Sequence, residues 1–230
     1  MKKKFEIEAI KRFLKSAKFG KICVLSAGFL FLLFIIWFVG LFRTPAHFRT
    51  VEIIDDNQVS QYLTNNILPE FYNKSQLGEP FEMIFSEQGI NDIVSRQLDG
   101  ESLKRSGFSD ISITFKKGRI LLTAKTVYHE IDFIVTVVFK PRVNKKGLFN
   151  AGVSKIQAGT SRLPFAARLM RKKIIYELAD SSAESDIVHY AGLLLSDNKM
   201  PPEFSFHHRN FRIEKIIVAN QKLIVQFLPD

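Results

Sequence analysis

The chain has a single cysteine, Cys23, so it cannot form an intramolecular disulfide. An oxidising compartment is permitted but not exploited, and the fold must be held by its core. Cys23 opens a long apolar run and reads as a small apolar residue. Zinc-ligand spacing is missing too: there is no second cysteine and no H-x-x-x-H. His207 and His208 are adjacent, and neighbours on a strand point to opposite faces, while His129 and His189 stand apart. No Gly-rich phosphate loop and no Gly-x-Ser-x-Gly elbow occurs. Asp55-Asp56 reads as a helix cap, and Glu52 and Glu82 as outward residues of short strands. These absences leave no catalytic residue, no metal site and no cofactor to assign. The expectation is a non-enzyme, with hydrolase the one enzymatic class left open.

What is present is a run of 21 uncharged residues, Ile22 to Phe42. As a helix it would measure about 31 Å at about 1.5 Å per residue, against a bilayer core of about 30 Å. Trp37, Phe38 and Phe42 gather near its far end, where aromatic rings suit the headgroup level. The first 21 residues carry eight lysines and arginines against Glu6 and Glu8, whereas Arg43 and Arg49 are the nearest cations beyond the run. Positive flanks stay cytoplasmic, so the expected order is a cytoplasmic basic segment (1–21), a transmembrane helix (22–42) and an extracytoplasmic domain (43–230). The apolar run exceeds a signal-peptide core, and Leu41-Phe42-Arg43-Thr44-Pro45 is a poor cleavage site, so an uncleaved anchor is expected. Localisation then follows: the inner (cytoplasmic) membrane, single-pass.

The net charge of +10 resides largely in the first segment. Topology and attraction to anionic headgroups explain it, with Phe5, Ile10, Phe13, Leu14 and Ala17 near helical spacing between the lysines. No nucleic-acid partner is expected.

The outer residues read as one α+β domain with a curved antiparallel sheet packed on helices. Val51–Ile54 and Phe81–Phe85 read as strands, each followed by an amphipathic helix, near 56–68 and 86–98, with Asp56 and Ser86 as N-caps. Pro69 is expected to end or kink the first helix, and Asn73–Pro80 to be a loop. Ile111, Ile113 and Phe115 alternate with polar residues, Arg119–Val127 follows as a second strand, and Ile131–Phe139 alternates strictly as a third. Leu148–Ile156 is a weaker strand. Helices near 164–178 and 184–196 and a terminal hairpin, Phe211–Val218 with Lys222–Leu228, complete the domain.

Two surfaces emerge from this meander. Counting strand directions places Lys116, Lys117, Arg119, Lys140, Arg142, Lys145 and Lys146 at one rim of the sheet. Lysines at exposed turns serve solubility in their own right, and as a set such a rim suits an anionic surface, phospholipid headgroups or an acidic envelope polymer. Ile111, Ile113, Phe115, Phe133, Val135 and Val137 form an apolar row that would face inward as core or ligand lining.

Phe85-Ser86-Glu87-Gln88-Gly89-Ile90-Asn91-Asp92-Ile93, behind an apolar anchor and before a meander with Lys-Gly turns, resembles the YpmS-type bacterial membrane proteins. Their [Phe/Thr]-[Ser/Thr]-Glu-x-x-[apolar]-Asn helix start is similar to residues 85–91, and the likeness extends in outline over residues 20–180. Gly89 is an awkward residue for a helix. The resemblance implies a single-pass protein with an extracytoplasmic domain, similar to lipid-carrying folds, and no enzymatic site. The resulting expectation is a membrane-anchored protein of the bacterial envelope that binds a lipid or other hydrophobic ligand. The alternative is a tethered scaffold that binds another envelope protein and no ligand. The expected partners are the membrane and either a lipid or such a protein.

Overall fold

The computed structural model describes residues 17–50, 59–97, 108–128, 131–163 and 201–229. The expected strand at 51–54, the cap Asp56 and the helices at 164–178 and 184–196 lie outside the described residues. The rest is an N-terminal apolar helix followed by antiparallel sheets and helices, an α+β fold.

Helix α1 runs Ala17–Phe42, and its stretch Gly20–Phe42 is long and apolar enough to cross a membrane. From Gly20 on, its side chains are exposed until the last turn. A π-helical turn, Leu63–Ile67, leads directly into α2, Leu68–Gln76. Pro69 therefore does not end the helix, and Asn73–Gln76 is helical rather than loop. The wide turn bonds Leu68 N–H to Leu63 O, and this widening just before Pro69 lets the helix pass a residue that lacks an N–H.

The strands are β1 (Phe81–Ser86), β2 (Phe108–Lys116), β3 (Arg119–Tyr128), β4 (Ile131–Phe139), β5 (Arg142–Val143), β6 (Phe149–Asn150), β7 (Val153–Ala158), β8 (Ser161–Arg162), β9 (Glu203–Phe206), β10 (Arg209–Ala219) and β11 (Lys222–Pro229). Helix α3, Glu87–Gln97, follows β1 at once. The weak strand expected at 148–156 is two strands, β6 and β7, broken at Ala151-Gly152. His207 and His208 are not on a strand. Both have positive φ, 47° and 63°, and they form the β9–β10 turn.

One sheet has the order β1-β11-β10-β9 and the other β2-β3-β4-β7-β8, every pairing antiparallel, while β5 and β6 form a small ribbon. The first sheet carries an aromatic core. Phe71 of α2 meets Phe81, Phe206, Phe211 and Phe227 edge-on at ring distances of 5.0–5.4 Å. Edge-to-face contacts add about 0.5–1.5 kcal/mol each beyond burial. The two sheets meet end to end. Gly118 N–H donates to Val218 O at 2.8 Å, and Gln221 N–H to Phe115 O at 3.1 Å.

In the second sheet the strand phase differs from the expected one. Thr136 and Val138 of β4 are buried, whereas Phe133, Val135 and Val137 are only half-buried. The post-helix segment causes this, because it lies on the face that carries Thr136.

Candidate functional site

That segment, Pro45–Arg49, crosses the second sheet and organises two concave sites, one on each side. Pro45 O accepts from Phe48 N–H at 3.0 Å, which turns the chain back on itself. His47 is pinned at two points. Its carbonyl accepts from Thr114 Oγ1 at 3.3 Å, and its Nε2 lies 3.1 Å from Thr136 Oγ1, which in turn lies 3.2 Å from Thr123 Oγ1. Thr123 and Thr136 are fully buried cross-strand partners, so the two hydroxyls and the imidazole satisfy one another in the interior.

The first site is a groove of about 500 Å³ between this segment and strands β3, β4 and β7. Leu121 and Val138 form its apolar floor. Its walls carry Lys116, Arg119, Lys140, Lys155 and Arg162, and no carboxylate among the described residues lines it. None of the five is in an ion pair given by the described residues. Burial, with Lys116 and then Lys155 close by, holds the His47 imidazole below its ordinary value, so it adds no charge at neutral pH.

Three of these cations, Lys116, Arg119 and Lys140, belong to the expected rim. Lys117, Arg142, Lys145 and Lys146 are exposed and lie outside the groove. Lys117 N–H is held by Asn220 Oδ1 at 3.1 Å, and Lys145 and Lys146 occupy a turn closed on Asn144. Lys155 and Arg162 lie within short strands rather than at turns, so no turn signal in the sequence marks them. Lys155 pairs with Val138 in register, which alone would have placed it on this face.

The expected apolar row is on the other face. Register places Ile113, Leu122 and Val137 together, and Phe115 with Ile120 and Phe139, opposite to Thr114, Leu121 and Val138. Ile111 sits in the bulge between Ser109 and Ser112. Phe115 is buried, and Phe133 touches the Phe42 ring at 5.4 Å. The cations and the apolar row thus belong to opposite sides of the sheet and cannot both serve one small ligand.

The groove ends against helix α1. Thr160 N–H and Oγ1 donate to Gly40 O at 2.8 and 3.1 Å, Ser161 Oγ donates to Trp37 O at 2.6 Å, and Trp37 Nε1 donates to Arg162 O at 3.2 Å. The hairpin between β7 and β8 therefore docks on the helix C-terminus and satisfies Gly40 O, one of the carbonyls that a helix end leaves unpaired. Gly159 makes this approach possible. Its φ is +55°, and a Cβ there would collide with the Gly40 and Leu41 carbonyls.

The second site is a cleft of about 750 Å³ where α3 meets β2. The nine-residue stretch from Phe85 explains itself here. Ser86 Oγ caps α3 by accepting from Gly89 N–H at 3.0 Å, as expected for an N-cap. Glu87 Oε2 accepts from Phe115 N–H at 2.6 Å. Asn91 donates to Ile113 O and accepts from Ile113 N–H, both at 2.7 Å. Gly89 is glycine because the Tyr62 ring lies where its Cβ would be, and Tyr62 Oη accepts from Ser86 N–H at 2.9 Å. Asp92 takes the Ser60 hydroxyl and, at 2.7 Å, Arg96 Nε. No metal-binding cluster of His, Cys, Asp or Glu occurs among the described residues.

No protein-family model matches this chain, and neither the curated proteins nor the solved structures contain a match to it.

Proposed function

We propose that this is a membrane-anchored, extracytoplasmic lipid-binding protein of the bacterial envelope, which holds an anionic lipid by its headgroup. The observation that carries this reading is the groove of five cations without a carboxylate, one end of which is bonded to the last turn of the apolar helix. A helix that spans from Lys21 to Arg43 would set that end of the groove at headgroup height. The basic flank of residues 1–21 supports a cytoplasmic N-terminus and an outer domain on the far side of the inner membrane. The bonds to Trp37 O and Gly40 O support a retained anchor, since cleavage after the helix would strip partners from Ser161 and Thr160. The lipid's chains stay in the bilayer on this reading, and only the headgroup enters the protein. Membership of the YpmS-type family is part of the proposal and rests on residues 85–91.

Each cation near an anionic surface contributes about 1 kcal/mol, so the five act as a set and weaken as salt rises. The test uses the full-length protein in neutral detergent. Native mass spectrometry should find co-purified anionic phospholipid. Short-chain phosphatidylglycerol should bind more tightly than short-chain phosphatidylcholine at low salt, and the preference should vanish in the Arg119→Gln, Lys140→Gln, Lys155→Gln triple variant. Equal binding of both lipids by the wild type, with no co-purified lipid, would leave the scaffold reading in its place.

A further inference from the structure

The cleft between α3 and β2 has a chemistry unlike that of the cationic groove. Among the described residues its charged lining balances, with Arg49 and Arg96 against Glu87 and Asp92. Arg96 is almost wholly buried, its side chain 5% exposed, and lies against Asp92. Gln88 and Gln221 add two amides to the wall. Ser112 lines the same cleft and is 3% exposed, and its Oγ has no hydrogen-bond partner among the described residues. A buried hydroxyl without a partner is destabilising, and a ligand that bonds it removes that cost. Gln221 is held at φ +62°, a conformation that favours glycine or asparagine, while its N–H and C=O are fixed by Phe115 and Glu87. A long amide is thus kept at the cleft in spite of its backbone.

We propose that this cleft binds a saccharide, either free or as the sugar of a glycolipid. Glu87, Asn91 and Asp92 are already engaged, and the groups that remain are the amides of Gln88 and Gln221 and the hydroxyl of Ser112, which both give and take hydrogen bonds as vicinal hydroxyls do. The absence of net charge among the described lining residues favours a neutral ligand over a phosphate or a carboxylate. A peptide strand added to the sheet is disfavoured, because the β2 edge is already occupied by Glu87 and Asn91. The volume, about 750 Å³, falls in the range of small-molecule sites, about 300–1,000 Å³. The two sites approach to within about 7 Å along β2, from Thr114 to Lys116 at about 3.3 Å per residue, but share no lining residue among those described, so this inference does not rest on the headgroup reading.

The experiment is saturation-transfer NMR on the full-length protein in detergent, with tri-N-acetylchitotriose and maltotriose as free probes. Flotation of the protein with phosphatidylcholine vesicles, with and without diglucosyl diacylglycerol, forms the second arm. The wild type should show transfer to a free probe or selective flotation with the glycolipid, and which arm responds identifies the source of the sugar. Ser112→Ala and Gln221→Gly should each weaken that response at least tenfold. Gln221→Gly relieves the backbone, so the variant should melt no lower than the wild type, and its loss of binding is not loss of fold. Both variants should keep the preference for phosphatidylglycerol if that preference exists. No response to either sugar source, or a response unchanged in both variants, overturns the proposal.

Discussion

The side-chain amide of Asn91 exchanges two 2.7 Å hydrogen bonds with the backbone of Ile113, the same pair that a neighbouring β-strand would make. Glu87 repeats the device one residue pair along, at Phe115 N–H. The geometry follows from two periods. Residues four apart on a helix rise about 6 Å, and residues two apart on a strand span about 6.6 Å. Helix α3 therefore stands in for a further strand and closes an edge that would otherwise template aggregation.

Asn91→Asp keeps the acceptor and loses the donor, leaving Ile113 O unpaired beside a new charge. A loss of about 1–3 kcal/mol is expected, measured by chemical denaturation of the full-length protein. Asn91→Gln should recover only part of it, because the longer side chain displaces the amide.

Gly89→Ala would stabilise an ordinary helix interior by about 1 kcal/mol. Here it should destabilise by about 1–3 kcal/mol, because the new methyl group meets the Tyr62 ring. A rise in melting temperature would show that the ring is not held against the helix.

The phase of β4 is open to a reciprocal pair of variants. Thr136→Val removes the hydroxyl shared by His47 and Thr123, at a cost of about 1–3 kcal/mol. Val135→Thr, on the half-buried face, should cost less. The opposite order of melting temperatures would restore the phase expected from the sequence.

His47 gives the pH dependence a definite sign. Its folded pKa lies below the unfolded value of about 6.5, so it contributes nothing to the pH dependence well above that point. As pH falls through about 6.5 the unfolded chain takes up a proton that the folded chain resists, and stability drops until pH passes below the folded value. The difference in melting temperature between about pH 7.5 and 5.5 should shrink in His47→Gln. An anion in the groove would offset Lys116 and Lys155 and move the imidazole back toward its ordinary value.

Local signals in the sequence were enough for α1, the β2–β4 meander, the terminal hairpin and the Ser86 cap. Each depends on the composition or spacing of residues close together along the chain. The phase of β4 was not legible because both faces are apolar: Ile134 and Val138 alternate with Phe133, Val135 and Val137. The deciding partner, His47, lies 89 positions upstream of Thr136. The same distance hid the groove, whose cations come from β2, β3, β7 and β8 and from the end of β4. Glu87 and Asn91 stood in a recognisable stretch, but nothing local shows that a side chain will replace a strand.

The docked end of α1 also sets how far the domain can travel. A flexible linker of n residues would let it roam about 5–6 Å × √n. Here Thr160 holds Gly40 directly, and His47 is fastened to the sheet four residues after Arg43, so there is no slack to spend. With the helix in a bilayer, the groove would keep one height and one tilt. Its search for a ligand would then be a walk in the plane of the membrane, and anything further from the surface than the domain itself would have to come to it.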